Sequence, residues 1–181
     1  MRDRDTNWRI SLEEGRGVGE HSWVKNGSFP ARYAPVERLG KGGGGEVWAA
    51  RDRFTARTVA LKLLPKNSSE AEMMSLIREA TMLRGLHGAG IPAVLHFGVL
   101  HEEGRRPYLV RELVAGQSLA HLIETSTDAV SCLAALGQAA DCLTRLHSAL
   151  ILHGDIKPAN IIVPPHGEAT LVDLGLAAPW R

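Results

Sequence analysis

Cysteine is nearly absent, with Cys132 and Cys142 the only two in 181 residues. They stand ten apart in a segment whose pattern reads as helix, so about 1000° of rotation separates them and they cannot bridge within it. No CxxC or Cys/His ligand spacing occurs. A disulfide scaffold and a zinc module are thereby excluded, and both thiols are expected as reduced core residues of an intracellular protein. Charge of one sign is lacking too: 21 Lys+Arg against 20 Asp+Glu leaves a net +1. That balance speaks against a dedicated nucleic-acid or membrane-surface binder, and the Arg51 to Arg57 stretch is interrupted by Asp52, as in an ordinary solvated face. No apolar run is long enough to span a bilayer, and Met1 to Glu14 is charged where a signal peptide would be apolar. The expectation is a cytoplasmic protein without a membrane segment. No internal repeat is visible.

What is present suffices for a core: 44% of residues are hydrophobic, and the length fits one domain, or one and part of another. Residues 1–30 mix charge with Gly15, Gly17, Gly19, Gly27 and Pro30 without a sustained period, so 1–32 reads as a flexible extension in which Trp8 and Trp23 dock at an unspecified place. From Tyr33 the pattern tightens. Val36 to Leu39 and Glu46 to Ala50 are short strand-like runs joined by a glycine-rich tip, and Thr58 to Leu64 is a third strand closed by Pro65. Ser69 with Glu72 forms a capping box ahead of Met73, Leu76, Ile77, Ala80 and Leu83, which recur at helical spacing until Gly88 to Pro92. Ala93 to Val99 and Pro107 to Leu113 read as strands around the turn Glu102-Glu103-Gly104. Ser118 to Glu124 and Ala129 to His147 then read as helices, followed by a loop to Asn160 and the short strands Ile161 to Val163 and Thr170 to Val172. A strand-rich half with one helix, then a helical half with a small hairpin, is an α+β, two-lobed arrangement.

Four constellations carry chemistry. In Leu39-Gly40-Lys41-Gly42-Gly43-Gly44-Gly45-Glu46-Val47, Gly40, Gly42 and Gly45 fit GxGxxG between two strands, where bare backbone N–H groups can approach phosphates. A plain glycine-rich hairpin tip has the same composition. In Val59-Ala60-Leu61-Lys62, alternation puts Ala60 and Lys62 on one face, a small residue that admits a flat base beside a cation that reaches its phosphates. Glu79, between Leu76 and Leu83 on a helix face, can supply the counter-charge that a cleft lysine needs. Most specific is His153-Gly154-Asp155-Ile156-Lys157-Pro158-Ala159-Asn160, with Asp173-Leu174-Gly175 thirteen residues further on. It offers a carboxylate to orient a hydroxyl proton, an ammonium for developing phosphate charge, a carboxamide oxygen for Mg²⁺ and a second carboxylate for the same metal.

On these motifs the chain from about Tyr33 to Trp180 resembles the protein kinase family, in particular bacterial serine/threonine kinases. The resemblance implies a two-lobed fold with a complete N-lobe and the first part of the helical C-lobe, an incomplete kinase domain over 33–181. It implies ATP and Mg²⁺ as cofactors and a Ser/Thr protein substrate. Leu39 to Val47 would cover the nucleotide, Ala60 would flank the base, and Lys62 would hold the α- and β-phosphates paired with Glu79. Glu112 to Val114 would be the hinge whose backbone meets adenine. Asp155 matches the catalytic base, Lys157 the lysine on the transferred phosphate, Asn160 and Asp173 the metal ligands, and His153 a structural histidine. Two residues depart from the family pattern: Gly154 replaces an arginine that pairs with a phosphorylated activation loop, and Arg111 stands at the usually apolar back of the adenine pocket. Two other readings stay open, a small-molecule phosphotransferase of the aminoglycoside-kinase type and an ATP-binding regulatory fragment or pseudokinase.

Overall fold

Strand alternation and one capped helix account for the first half of the molecule. The computed structural model describes residues 29–42, 44–86, 90–101, 105–125 and 128–180. The expectations for residues 1–28, Gly43, Gly88 and Glu102-Glu103-Gly104 lie outside these residues. Five antiparallel strands form one sheet in the order β1-β2-β3-β5-β4: β1 (Tyr33–Gly42), β2 (Gly45–Asp52), β3 (Thr58–Leu63), β4 (Val94–Leu100) and β5 (Arg106–Glu112). β1 and β2 run longer than the apolar runs suggest, because glycine and charged residues continue the pairing to Gly42↔Gly45 and Tyr33↔Asp52. Helix α1 (Glu70–Leu83) starts at its capping box: the Glu72 N–H donates to Ser69 Oγ at 3.2 Å and the Ser69 N–H donates back to Glu72 Oε2 at 2.7 Å.

The second half is helical with small ribbons: β6 (Gln117–Ser118), α2 (Leu119–Thr125), α3 (Ala129–Ser148), β7 (Ile151–Leu152), β8 (Ile161–Val163), β9 (Thr170–Leu171) and β10 (Ala178–Pro179). Asp128 caps α3 by accepting the Val130 and Ser131 N–H groups, both at 3.1 Å. The helix buries a stripe of Ala135, Ala139, Cys142 and Leu146 at helical spacing. Its Gln138 Oε1 accepts the Ala169 N–H at 2.7 Å, and Cys142 Sγ lies 3.7 Å from the Ala169 carbonyl, so the strip that leads into β9 is tied to the helix. Neither cysteine is in a disulfide.

The chain divides into two compact units. Of the described residues, a sheet unit takes those up to Ile77 and Val94–Leu113, and a helical unit takes Arg78–Ala93 and everything from Val114. One division falls inside α1 and another between Leu113 and Val114, within the expected hinge. Among the described residues no helix is long and apolar enough to cross a membrane.

Candidate active site

In an antiparallel sheet, directly opposed residues place their side chains on the same face. The register Val47↔Lys62↔Leu109 and Ala49↔Ala60↔Arg111 therefore puts Val47, Ala49, Ala60, Lys62, Leu109 and Arg111 on one face of the sheet unit. Trp48, Ala50, Val59, Leu61, Leu63, Tyr108 and Val110 take the other and, with Tyr33, make its apolar core. The expected alternation of Ala60 and Lys62 against Val59, Leu61 and Leu63 is thus present, and Lys62 is only 9% exposed. Arg111 is buried on the Lys62 face, one strand over from Ala60.

Around the glycine segment, Leu39 is buried and Gly40 opposes Val47 in register. Gly45 has φ +107°, and a Cβ there would sit 2.1 Å from the Leu63 carbonyl oxygen, so only glycine lets the hairpin close against the end of β3. Gly42 and Gly44 have nothing within 4 Å of a Cβ position, so these two glycines face open space. Lys41 and Glu46 oppose each other on the Trp48 face and form an ion pair at 3.5 Å, leaving their backbone as what they present toward the Lys62 face. Glu112 closes β5 opposite Val59 and is exposed, while Val114 is half-buried as the first residue past the division.

The helical unit brings the second group of site residues together. The Asp155 carboxylate is 2.9 Å from Lys157 Nζ and accepts Asn160 Nδ2 at 3.0 Å, and the same amide donates to the Asp155 carbonyl at 2.8 Å. A 3-10 turn, Pro158–Asn160, makes this possible, since it curls the chain back so that residue 160 faces residue 155. The hydrogen bond from Lys157 holds the Asp155 carboxyl below the usual carboxylate range, against the upward pull of burial. His153 is buried and its Nδ1 accepts the Asp155 N–H at 3.3 Å, an arrangement that shapes the loop. The Val172 N–H donates to the Asn160 carbonyl at 2.9 Å, which fixes the strand leading to Asp173 beside the loop, and Asp173 itself is left-handed at φ +61°. Glu79 is 2% exposed on α1.

Gly154 also has a physical reason. Its φ is +81°, and a Cβ would lie 2.4 Å from the Leu176 carbonyl oxygen. The strand after Asp173 folds back so that Ala178 pairs with Leu152 and Pro179 with Ile151, and the Trp180 N–H donates to the Leu150 carbonyl at 2.8 Å. This return leaves no room for a side chain at residue 154, so the arginine of the family pattern is absent on steric as well as sequence grounds.

The donor set suits a hard cation. Asn160 spends its amide hydrogens on Asp155, which leaves its carboxamide oxygen for another partner, and Asp173 adds a carboxylate two residues past β9. Two protein oxygens, with water and phosphate for the remaining positions, match how Mg²⁺ is commonly held. Among the described residues no group of three or more His, Cys, Asp or Glu could form an all-protein metal cage.

A glycine hairpin, a buried strand lysine and a carboxylate–lysine–carboxamide loop are the features on which the resemblance to the protein kinase family rests. The family profile described as protein kinase domain matches residues 33–181, and the chain belongs to the protein kinase family. Serine/threonine-protein kinase PknA of Mycobacterium tuberculosis (strain H37Rv) is 36% identical over 157 residues, covering 83% of this chain and 36% of that protein. Serine/threonine-protein kinase 36 of Pongo abelii is 35% identical over 150 residues, with 81% and 11% covered. The DNA damage-responsive serine/threonine-protein kinase RqkA of Deinococcus radiodurans is 31% identical over 150 residues, with 81% and 22% covered. The chain thus spans little more than a third, or less, of these relatives.

Proposed function

We propose that this domain binds Mg²⁺·ATP and serves transfer of its γ-phosphoryl group to a serine or threonine hydroxyl of a protein. The observation that carries the reading is the Asp155–Lys157–Asn160 cluster, closed at 2.9 and 3.0 Å next to Asp173. The relatives' names favour a protein acceptor over a small molecule.

In this reading the backbone N–H groups of the Gly40 to Val47 hairpin cover the phosphates, Val47 and Ala60 flank the base, and the backbone of Glu112 to Val114 hydrogen-bonds adenine. Lys62 neutralises the α- and β-phosphates. Lys62 and Glu79 are each buried within their own unit, and a buried charge is tolerated only with a counter-charge. Asn160 and Asp173 would hold Mg²⁺, which supplies charge neutralisation at the phosphates when bound. Asp155 accepts a hydrogen bond from the acceptor hydroxyl and takes its proton as the new P–O bond forms and the β–γ bridging oxygen departs. A carboxylate is a weak base, so Asp155 acts chiefly by orienting the hydroxyl, which is what a loose phosphoryl-transfer transition state requires. Lys157 offers its ammonium to the transferring phosphoryl.

Titration calorimetry with Mg²⁺·ATP tests the nucleotide half. Lys62→Ala is expected to weaken binding at least about tenfold, with Asp155→Asn within about threefold of wild type. Equal affinity for wild type and Lys62→Ala would sink the pocket. For the transfer half, phosphate from γ-labelled ATP should reach serine or threonine of an acceptor protein and should vanish with Asp155→Asn. Retention in that variant removes Asp155 from its role.

A further inference from the structure

The back of the glycine hairpin carries a charged cluster that the reading above does not use. Glu46 Oε1 lies 3.5 Å from Lys41 Nζ across the hairpin. Its Oε2 lies 3.4 Å from Arg106 Nη2 and accepts the Trp48 Nε1–H at 3.3 Å. Arg106, at the start of β5, is itself tied down, because its Nε donates to the Leu64 carbonyl at 2.7 Å. Register places the whole group on one face: Glu46 and Trp48 are two apart on β2, Glu46 opposes Leu63, and Leu63 opposes Tyr108, two residues along from Arg106. Val47 points the other way, toward the Lys62 face. Burial pushes the Glu46 carboxyl up, and the Trp48 N–H, Arg106 and Lys41 outweigh it, so the group stays a carboxylate.

The tip needs such a tie. Glycine contributes no side chain to pack, and Cβ positions on Gly42 and Gly44 would meet nothing within 4 Å. We propose that Glu46 is a positioning residue that clasps the hairpin to the β3–β5 frame and thereby sets the rate at which nucleotide leaves. The clasp has an inner and an outer arm. The inner arm to Arg106 joins side chains 12% and 21% exposed, whereas the Lys41 side chain of the outer arm is 66% exposed. Salt screens exposed pairs far more than enclosed ones, so the outer arm should yield to ionic strength and the inner arm should hold. Mobile loops over a bound ligand commonly gate its release, which is how a tie on the back face reaches function.

The effect on nucleotide rests on the ATP reading; the clasp itself does not, and two measurements separate them. Hydrogen exchange in nucleotide-free protein reads the clasp. Glu46→Gln keeps an acceptor for Trp48 and loses both ion pairs, and should speed exchange about tenfold at those of the Gly40, Lys41, Gly42 and Val47 amides that bond across the hairpin, while β3 and β5 amides stay unchanged. Unchanged hairpin exchange overturns the clasp whether or not ATP binds. Stopped-flow dissociation of Mg²⁺ with a fluorescent methylanthraniloyl-ATP reads the function. Glu46→Gln should dissociate about tenfold faster with association within about threefold, and Lys41→Met about threefold faster, matched in wild type by about 0.5 M salt. Glu46→Asp should fall between wild type and Glu46→Gln. If wild type binds and the dissociation rates agree within about twofold, the gating role is wrong even with a loosened hairpin. If wild type does not bind, the ATP reading fails and the gating role with it. Should Glu46→Gln fail to fold, Lys41→Met, altered only at an exposed side chain, decides both measurements.

Discussion

The two units handle apolar surface in opposite ways. In the sheet unit the Leu61 face is a buried cluster of mostly large side chains, with Phe29 and Leu100 packed against it and the Phe29 ring edge-on to Trp48 at 5.1 Å. In the helical unit α3 buries mostly small residues on one side and carries Val130, Leu133 and Leu136 at 77%, 67% and 47% exposure on the other. Pairing between neighbouring strands brings large side chains together locally, whereas a helix closes only the stripe that something else covers. The residues around Lys62 therefore rest on a filled core, and the loop from His153 to Asn160 rests on hydrogen bonds and one narrow stripe.

The largest expected contrast comes from deleting the same side chain on each side of this comparison. Leu61→Ala empties a fully buried site and should cost about 2–5 kcal/mol of unfolding free energy. Leu133→Ala removes an exposed side chain and should change stability by less than about 0.5 kcal/mol. Urea denaturation measures both. A Leu133→Ala loss as large as that of Leu61→Ala would show that the α3 stripe is covered in solution, and the contrast between the units would collapse.

A smaller effect is expected where the His153 to Asn160 loop meets the returning strand. Gly154→Ala forces a Cβ into the left-handed region and against the Leu176 carbonyl, at a cost of about 1–3 kcal/mol. Because the strain falls between β7 and β10, amide protection of Leu152 and Ala178 should drop while β2–β3 protection holds. Undiminished stability in Gly154→Ala would mean that the backbone at residue 154 is not left-handed and that arginine is excluded for some other reason.

Much of this was legible in the sequence wherever a period or a fixed spacing carries the information. The Ser69–Glu72 box, the two-faced strand at Lys62 and the loop from His153 to Asn160 are local patterns, and each appears in place. The ribbons β6, β7 and β10 were not anticipated, because two residues are too few to show alternation. Arg106 was not singled out either, since its partner Glu46 lies sixty positions away and only strand register brings them together. Gly154 was visible as a departure, but its cause lies in residues 176–179, a contact that spacing does not encode. Arg111 could be placed at a strand position, and the pairing Ala60↔Arg111 then fixes its face.

The smallest effect is one of pH, and it sharpens the contrast from the sheet side. His96 packs between Tyr33 and Tyr108, with ring centroids 6.1 and 5.6 Å away, and its buried Nδ1 has no hydrogen-bond partner among the described residues. Burial lowers its pKa, the Arg32 guanidinium lowers it further, and Asp52, held by Arg32 through hydrogen bonds at 2.7 and 2.8 Å, partly opposes them. A base with a depressed folded-state pKa binds its proton in the unfolded chain first. The unfolded state therefore gains protons as pH falls below about 6.5, and stability declines from there toward lower pH until the folded imidazole protonates as well. His96→Phe keeps the ring stack and removes the titration, so its unfolding midpoint should be flatter than wild type's below about pH 6.5. The difference between the two proteins is the measurement, because it cancels the other histidines. Parallel curves would place His96 in water, and with it open the aromatic rim that makes the sheet unit the closed half of the comparison.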